Sequence, residues 1–187
     1  MRLRTLLLGF TVAALTASCS SGGQTADASQ DVDWDVPCDE SDIGTAAEDF
    51  KDFTLECLSN GKDHALGVLD ERPTVITLWA TWCGPCRKEA PEFRKFHEEY
   101  GDQVNLIGVD TQDDRSSGLA FAADAGWRFP SVSDPKGSVM RARGITALPA
   151  TFLIDEKGTT VATYNDPGLT FEKLEKAALK HFEVERS

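Results

Sequence analysis

The chain has 187 residues, 41% of them hydrophobic, and its 31 acidic side chains outnumber 19 basic ones for a net charge of −12. That length, less a targeting segment, supplies one ordinary domain with a single core, and two independent domains are not expected. The negative field repels phosphate backbones and anionic lipid surfaces, which argues against nucleic-acid binding or docking through a basic patch.

Met1 to Ser18 reads as a secretory leader. Arg2 and Arg4 supply its positive start and Leu6 through Leu15 its apolar run, which is too short to span a bilayer comfortably. Without those two arginines the exported part keeps 17 basic against 31 acidic side chains, a net charge of −14. The segment Leu15-Thr16-Ala17-Ser18-Cys19 resembles a bacterial lipoprotein processing site, although Thr16 stands where a larger aliphatic is usual. That resemblance implies a lipidated Cys19 anchoring the protein to the outer face of the bacterial cell membrane. The alternative is a plain cleaved leader that leaves Cys19 as an odd thiol. Ser20 to about Val36 is rich in Ser, Gly, Gln, Thr, Ala and Asp, with little to bury. It is expected to be a disordered tether averaging roughly 20 Å in span, with the folded domain over 37–187.

Phe53-Thr54-Leu55-Glu56-Cys57-Leu58 alternates apolar and polar as a half-buried strand does, and Ser59-Asn60-Gly61-Lys62 supplies the turn of an N-terminal hairpin. Val75 to Ala80 is a short apolar run rich in β-branched and aromatic residues, the pattern of a central strand buried on both faces. It runs directly into Cys83-Gly84-Pro85-Cys86. Arg87 to Tyr100 places Phe93, Phe96 and Tyr100 at helical spacing and stops at Gly101, while Pro91 removes one backbone donor and predicts a kink. Val104 to Val109 predicts a second buried strand, and Asp110 to Asp114 a polar loop that caps a helix over Arg115 to Ala125. A short strand at Phe129 to Val132 and a short helix at Ser138 to Arg143 follow. Thr151 to Ile154 and Thr159 to Tyr164 read as strands joined by Asp155-Glu156-Lys157-Gly158. Leu174, Ala177, Ala178 and Phe182 mark one face of a closing helix over Thr170 to Phe182. This order predicts an α/β fold with a central mixed sheet, helices on both faces and an N-terminal strand or hairpin extension.

Disulfide exchange needs one thiol whose ionised form is stabilised and which a substrate can reach. Cys83 follows a buried strand and opens a helix, where free backbone N–H groups and the positive end of the helix dipole favour a charged sulfur. Pro85 in the first turn costs no intrahelical bond. Cys86 lies one turn deeper on the same face, placed to attack a mixed disulfide at Cys83. Zinc sites also use Cys-x-x-Cys, but they want a second ligand pair. Cys38 and Cys57 form no second knuckle, and His64, His97 and His181 show no i, i+4 pairing, so no metal is expected.

The run Leu78-Trp79-Ala80-Thr81-Trp82-Cys83-Gly84-Pro85-Cys86-Arg87-Lys88-Glu89 resembles the active-site strand and helix of the thioredoxin superfamily. The likeness is specifically to the TlpA/ResA-like branch of extracytoplasmic thiol:disulfide oxidoreductases, and it extends over about Val36 to Phe182. It implies a thioredoxin fold, with the long stretch between Cys86 and Pro149 as the central insertion of that branch. Leu148-Pro149-Ala150-Thr151-Phe152 resembles the loop holding the superfamily's cis-proline, so Leu148 and Pro149 would present backbone to an extended substrate beside Trp82, Gly84 and Pro85. Thioredoxins place a buried Asp six residues before the first active-site Cys, and here that position is Thr77, which cannot ionise in that role. Glu89 matches the acid of the ResA-like branch and is the candidate for proton traffic at Cys86. The alternative is a solvated helix Glu beside Lys88 and Arg87. Trp79, Trp127 and Phe129 read as core and His97 as solvated, while Trp82 could line a docking surface.

In an exported chain Cys38 and Cys57 are expected to form a structural disulfide, with a second redox pair as the competing reading. The leading function is dithiol–disulfide exchange with protein substrates and a membrane redox partner, by a monomer without cofactor, in the reductase direction of cytochrome c maturation. The alternatives are an oxidase of exported proteins and, from another class, a copper metallochaperone. The latter would want soft ligands near the cysteines, and Met140 and the scattered His give no such pattern. A peroxidase would call for a single activated Cys with a hydroxyl and an Arg.

Overall fold

The computed structural model describes residues 34–38 and 44–186. The leader, Cys19 and the tether up to residue 33 lie outside the described residues. Among those described, no helix is long and apolar enough to cross a membrane.

The organising element is β5 (Thr74–Trp79), in which every residue is buried. An apolar, β-branched run of this kind can be covered on both faces. It pairs in parallel with β6 (Asn105–Thr111) and antiparallel with β8 (Ala150–Ile154), which in turn pairs with β9 (Thr160–Tyr164). On the other side β6 runs parallel to β7 (Ser131–Asp134), and β7 pairs antiparallel with β2 (Thr54–Cys57), whose hairpin partner is β3 (Asp63–Ala65). The seven-stranded order is β3-β2-β7-β6-β5-β8-β9, and β1 (Thr45–Ala46) with β4 (Val68–Leu69) makes a separate two-stranded ribbon. Strand β7 and helix α2 (Arg115–Asp124) lie between β6 and the later elements, so the stretch read as an insertion contributes a full strand to the sheet.

Two apolar layers cover the sheet. One joins Trp79, Phe93, Phe96, Trp127, Phe129 and Leu174, bringing helices α1 (Gly84–Tyr100), α2 and α4 (Phe171–His181) onto one face. The other joins Phe50, Ile76, Leu78, Val132, Val139 and Phe152 beneath α3 (Ser138–Ala142). Helix α4 illustrates the local logic. Thr170 caps it by accepting the Lys173 N–H, and Leu174, Ala177 and Ala178 bury one face at i, i+3 and i+4 spacing. Pro91 stands inside α1, which runs over 17 residues.

Four expectations need correction. The tether was expected to reach Val36, but Trp34 is buried in the core and its indole N–H donates to the Trp127 carbonyl at 2.9 Å. A large aromatic ring in an otherwise polar stretch has more to gain from burial than its neighbours' composition suggests. Asp110 and Thr111 were assigned to a polar loop, yet both are fully buried and form the last two residues of β6. His97 was read as solvated, but its ring packs edge-on against Phe129 at 5.6 Å. Burial lowers its pKa, against the hydrogen bond that the ring donates to the Arg128 backbone carbonyl and the nearby acids Asp102 and Glu98, which act upward. Lastly, the strand expected at Phe129 to Val132 lies two residues later, because Phe129 packs among aromatic rings rather than pairing.

Candidate active site

Strand β5 ends at Trp79, and the turn Ala80-Thr81-Trp82 carries the chain to Cys83, which is the N-cap of α1. Its sulfur accepts the N–H of Cys86 at 3.2 Å, the bond a Ser or Asp oxygen makes at an ordinary helix start. Gly84 and Pro85 fill the first helical positions, where a missing donor costs nothing. Cys83 and Cys86 are joined as a disulfide with Cα atoms 5.3 Å apart, and they are 4% and 5% exposed. Exposed Trp82 and Pro85 frame the approach to the sulfurs.

Glu89, one turn beyond Cys86, is 3% exposed and is not a solvated helix Glu. Its Oε1 accepts the N–H groups of Gly168 and Leu169 at 2.6 and 3.0 Å, while Oε2 is buried with no partner. Burial raises the carboxyl pKa, and the two backbone donors and Lys173 pull the other way. A carboxyl in this setting can hold a proton at higher pH than a surface Glu and can pass it on at its free oxygen. An open groove of about 600 Å³ runs beside this first turn, lined among others by Gly84, Pro85, Lys88, Glu89, Gly168 and Leu169.

The Leu148–Pro149 peptide is cis. Ala150 pairs with Leu78, so Pro149 lies at the same end of the sheet as the turn leading to Cys83. Asn165 fastens this loop, its amide donating to the carbonyls of Ala147 and Pro149 at 2.9 Å each. At the position where thioredoxins carry a buried acid, Thr77 instead shares a 3.2 Å hydrogen bond with Thr151. That pair is neutral and buried, and it leaves Glu89 as the carboxyl one turn from Cys86.

Three contributors escaped the sequence reading. Asn165 has no motif to announce it. Asp113, read as a loop residue, accepts both the N–H and the hydroxyl of Thr81 through Oδ2, at 2.7 and 2.5 Å. Asp110, opposite Trp79 in the β5–β6 register, has both carboxyl oxygens buried without a partner, and its pKa is pushed up to about 8 by burial first and then by Asp113 and Asp114. Gly118 of α2 leaves room for that carboxyl, since a methyl there would overlap Asp110 Oδ2. The signal available was β-branched Thr111 directly after Val109-Asp110, a residue that suits the strand running on past the acid.

Cys38 and Cys57 are also joined, with Cα atoms 5.8 Å apart, at the β2 side of the sheet. Met140 packs against the opposite face from the dithiol, and among the described residues no three His, Cys, Asp or Glu side chains converge on a metal position.

Residues 44–163 match the AhpC/TSA family. The thiol-disulfide oxidoreductase ResA of Halalkalibacterium halodurans is 33% identical over 135 residues, 72% of this chain and 76% of that protein. ResA of Geobacillus thermodenitrificans is 33% identical over 117 residues, 62% of this chain but 65% of that relative, so the match spans just under two thirds of its length. Among solved structures, a secreted Mycobacterium tuberculosis disulfide oxidoreductase superposes with a TM-score of 0.65. It is 23% identical and covers 72% of this chain and 99% of its own, a likeness of fold. The sheet, its helices and these matches together make the chain a member of the AhpC/TSA family, in its thioredoxin-like branch of thiol-disulfide oxidoreductases.

Proposed function

We propose that the protein exchanges disulfides with protein substrates outside the cytoplasm through Cys83 and Cys86, with Cys83 attacking and Cys86 resolving. The observation that carries the reading is the capping of α1 by the Cys83 sulfur, which puts the backbone N–H of Cys86 and the helix dipole on the atom that must bear negative charge.

In the reduced enzyme the Cys83 thiolate attacks a substrate disulfide, forming a mixed disulfide and releasing one substrate thiolate. Cys86 gives its proton to the Glu89 carboxylate and attacks the Cys83 sulfur. The second substrate thiolate leaves, and the Cys83–Cys86 disulfide has received the bond while two electrons have passed to the substrate. Trp82, Gly84, Pro85, Leu148 and Pro149 would present the surface and backbone on which an extended substrate lies. The direction we favour is reduction, as in cytochrome c maturation. The Gly84-Pro85 spacer supports it, and so does a buried Glu89, whose charge disfavours a second anion nearby and so favours the oxidised form. A membrane thiol partner would return the dithiol to its reduced state. The leader and Cys19 support export and lipid anchoring of a monomeric domain over the membrane.

Redox equilibration against glutathione tests the direction. A potential well below that of glutathione is expected, and one well above it would reverse the assignment to an oxidase. Trapping with Cys86→Ser should leave substrates covalently attached to Cys83, and their absence would remove the exchange reading.

A further inference from the structure

We propose that Asp113 is a positioning residue for Cys83, acting through Thr81. The inference rests on the reading of Cys83 as the attacking thiol. Every polar group of Thr81 is engaged. Its N–H and hydroxyl donate to Asp113 Oδ2 at 2.7 and 2.5 Å, and its carbonyl accepts from Arg87 Nη1 at 2.7 Å. Trp82 follows, donating its indole N–H to the Gln112 carbonyl at 3.1 Å. The turn that delivers Cys83 is therefore fastened by hydrogen bonds to the loop between β6 and α2.

That loop is fixed from its far side as well. Gln112 takes a left-handed φ of 55° and donates its N–H to the Asp134 carbonyl at 2.9 Å. Asp114 caps α2 by accepting the Ser117 N–H at 2.9 Å, and its own N–H donates to Asp113 Oδ1 at 2.9 Å. One oxygen of Asp113 thus orients the carboxyl while the other holds Thr81. The anchor runs back through Asp134, whose carboxylate accepts the N–H groups of Ser138 and Val139 at the start of α3, at 2.8 and 2.9 Å. The segment α2-β7 reaches the active site by this route.

The consequence falls on the sulfur two residues from Thr81. A Cys83 thiolate is stabilised only while the sulfur stays over the helix tip, within reach of the Cys86 N–H. Freeing the turn lets the sulfur leave that position and lose stabilisation. The charge of a carboxylate acts in the opposite sense, since it repels a thiolate, so removing charge alone would make ionisation easier. Position and charge therefore predict shifts of opposite sign.

The test is the pH profile of Cys83 alkylation by iodoacetamide in the reduced full-length protein, read by mass spectrometry. Asp113→Ala, which loses both bonds, should raise the midpoint by about one pH unit and slow alkylation at pH 7 by about threefold. Asp113→Asn keeps an acceptor oxygen for Thr81 and loses the charge, so it should hold the midpoint at or below the wild-type value. Thr81→Val, which removes only the hydroxyl bond, should move it in the direction of Asp113→Ala by less, and it carries the test if Asp113→Ala fails to fold. A midpoint lowered or unchanged in Asp113→Ala, or an Asp113→Asn variant as slow as Asp113→Ala, would overturn the inference. A wild-type Cys83 no faster than free cysteine would instead overturn the exchange reading beneath it.

Discussion

Cys38–Cys57 and Cys83–Cys86 have similar Cα separations, 5.8 and 5.3 Å, and all four residues are nearly buried, yet they occupy opposite kinds of surroundings. Cys57 lies in a strand with its N–H donating to the Lys62 carbonyl; its sulfur accepts the Cys38 N–H at 3.1 Å, a single amide with no helix behind it, and the Cys38 sulfur contacts the Ser131 carbonyl at 3.5 Å, an electron-rich group that does nothing for a thiolate. Cys83 receives its N–H at the tip of a 17-residue helix, whose dipole adds to that bond, with exposed Arg87 and Lys88 one turn away and Glu89 beneath. The first pair is 19 residues apart and closes a real loop, while the second is 3 apart and constrains almost no chain. The first pair closes a long loop and the second sits at a helix tip, so chain constraint and the setting a thiolate needs fall on different pairs.

The strongest way to break this contrast is to remove each pair in turn. Cys83→Ala should lower turnover of a protein disulfide by at least ~10³-fold, whereas the double variant Cys38→Ala/Cys57→Ala should keep its rate within about threefold. The double variant should instead lose about 3 kcal/mol of stability by the chain-entropy model, seen as a shifted urea midpoint. A double variant that is stable but inactive would turn the structural pair into a redox relay.

Asp110 sharpens the contrast between buried groups that are supported and one that is not. Its folded pKa of about 8 stands above the ordinary 3.8, so the folded protein keeps a proton that the unfolded chain releases. Stability is therefore unaffected below 3.8, falls as pH rises through the window up to about 8, and levels off above it. Asp110→Asn, a neutral near-isostere, should be more stable than wild type by about 6 kcal/mol at pH 9 and by less than about 1 kcal/mol at pH 4. Urea melts at the two pH values check the difference, and equal gains at both would remove the buried acid as their cause.

The smallest expected effect concerns Glu89. Below its raised pKa the carboxyl is protonated and cannot accept the Cys86 proton, so release of the mixed disulfide should slow as pH falls. Glu89→Gln should reduce single-turnover resolution by about tenfold at pH 7 and flatten that acid limb, while initial attack by Cys83 changes little. An unchanged acid limb would assign the proton to another acceptor.

Much of this molecule is legible in its sequence. Central strand β5 announced itself by composition, helix α1 by Phe93, Phe96 and Tyr100, and the dithiol by its seat between them. What escaped reading depends on contacts distant in sequence. Trp34 is buried only because Trp127, 93 residues on, offers a carbonyl to its indole. His97 loses its water to Phe129, which comes from beyond the next strand and helix. Asp110 and Asp113 lie three residues apart in one acidic run, and only the end of a strand separates the fully buried one from the one that grips Thr81. Charge alone predicts exposure for both, and topology overrules it for one.

Trp34 also bears on where the domain can be cut. A soluble fragment beginning at Pro37 would look reasonable by composition, yet it would strip a wall from the layer beneath α1 and α2 and leave the Trp127 carbonyl facing a void. A fragment beginning ahead of Trp34 would keep that seal, and with it the aromatic group on which Trp79 rests.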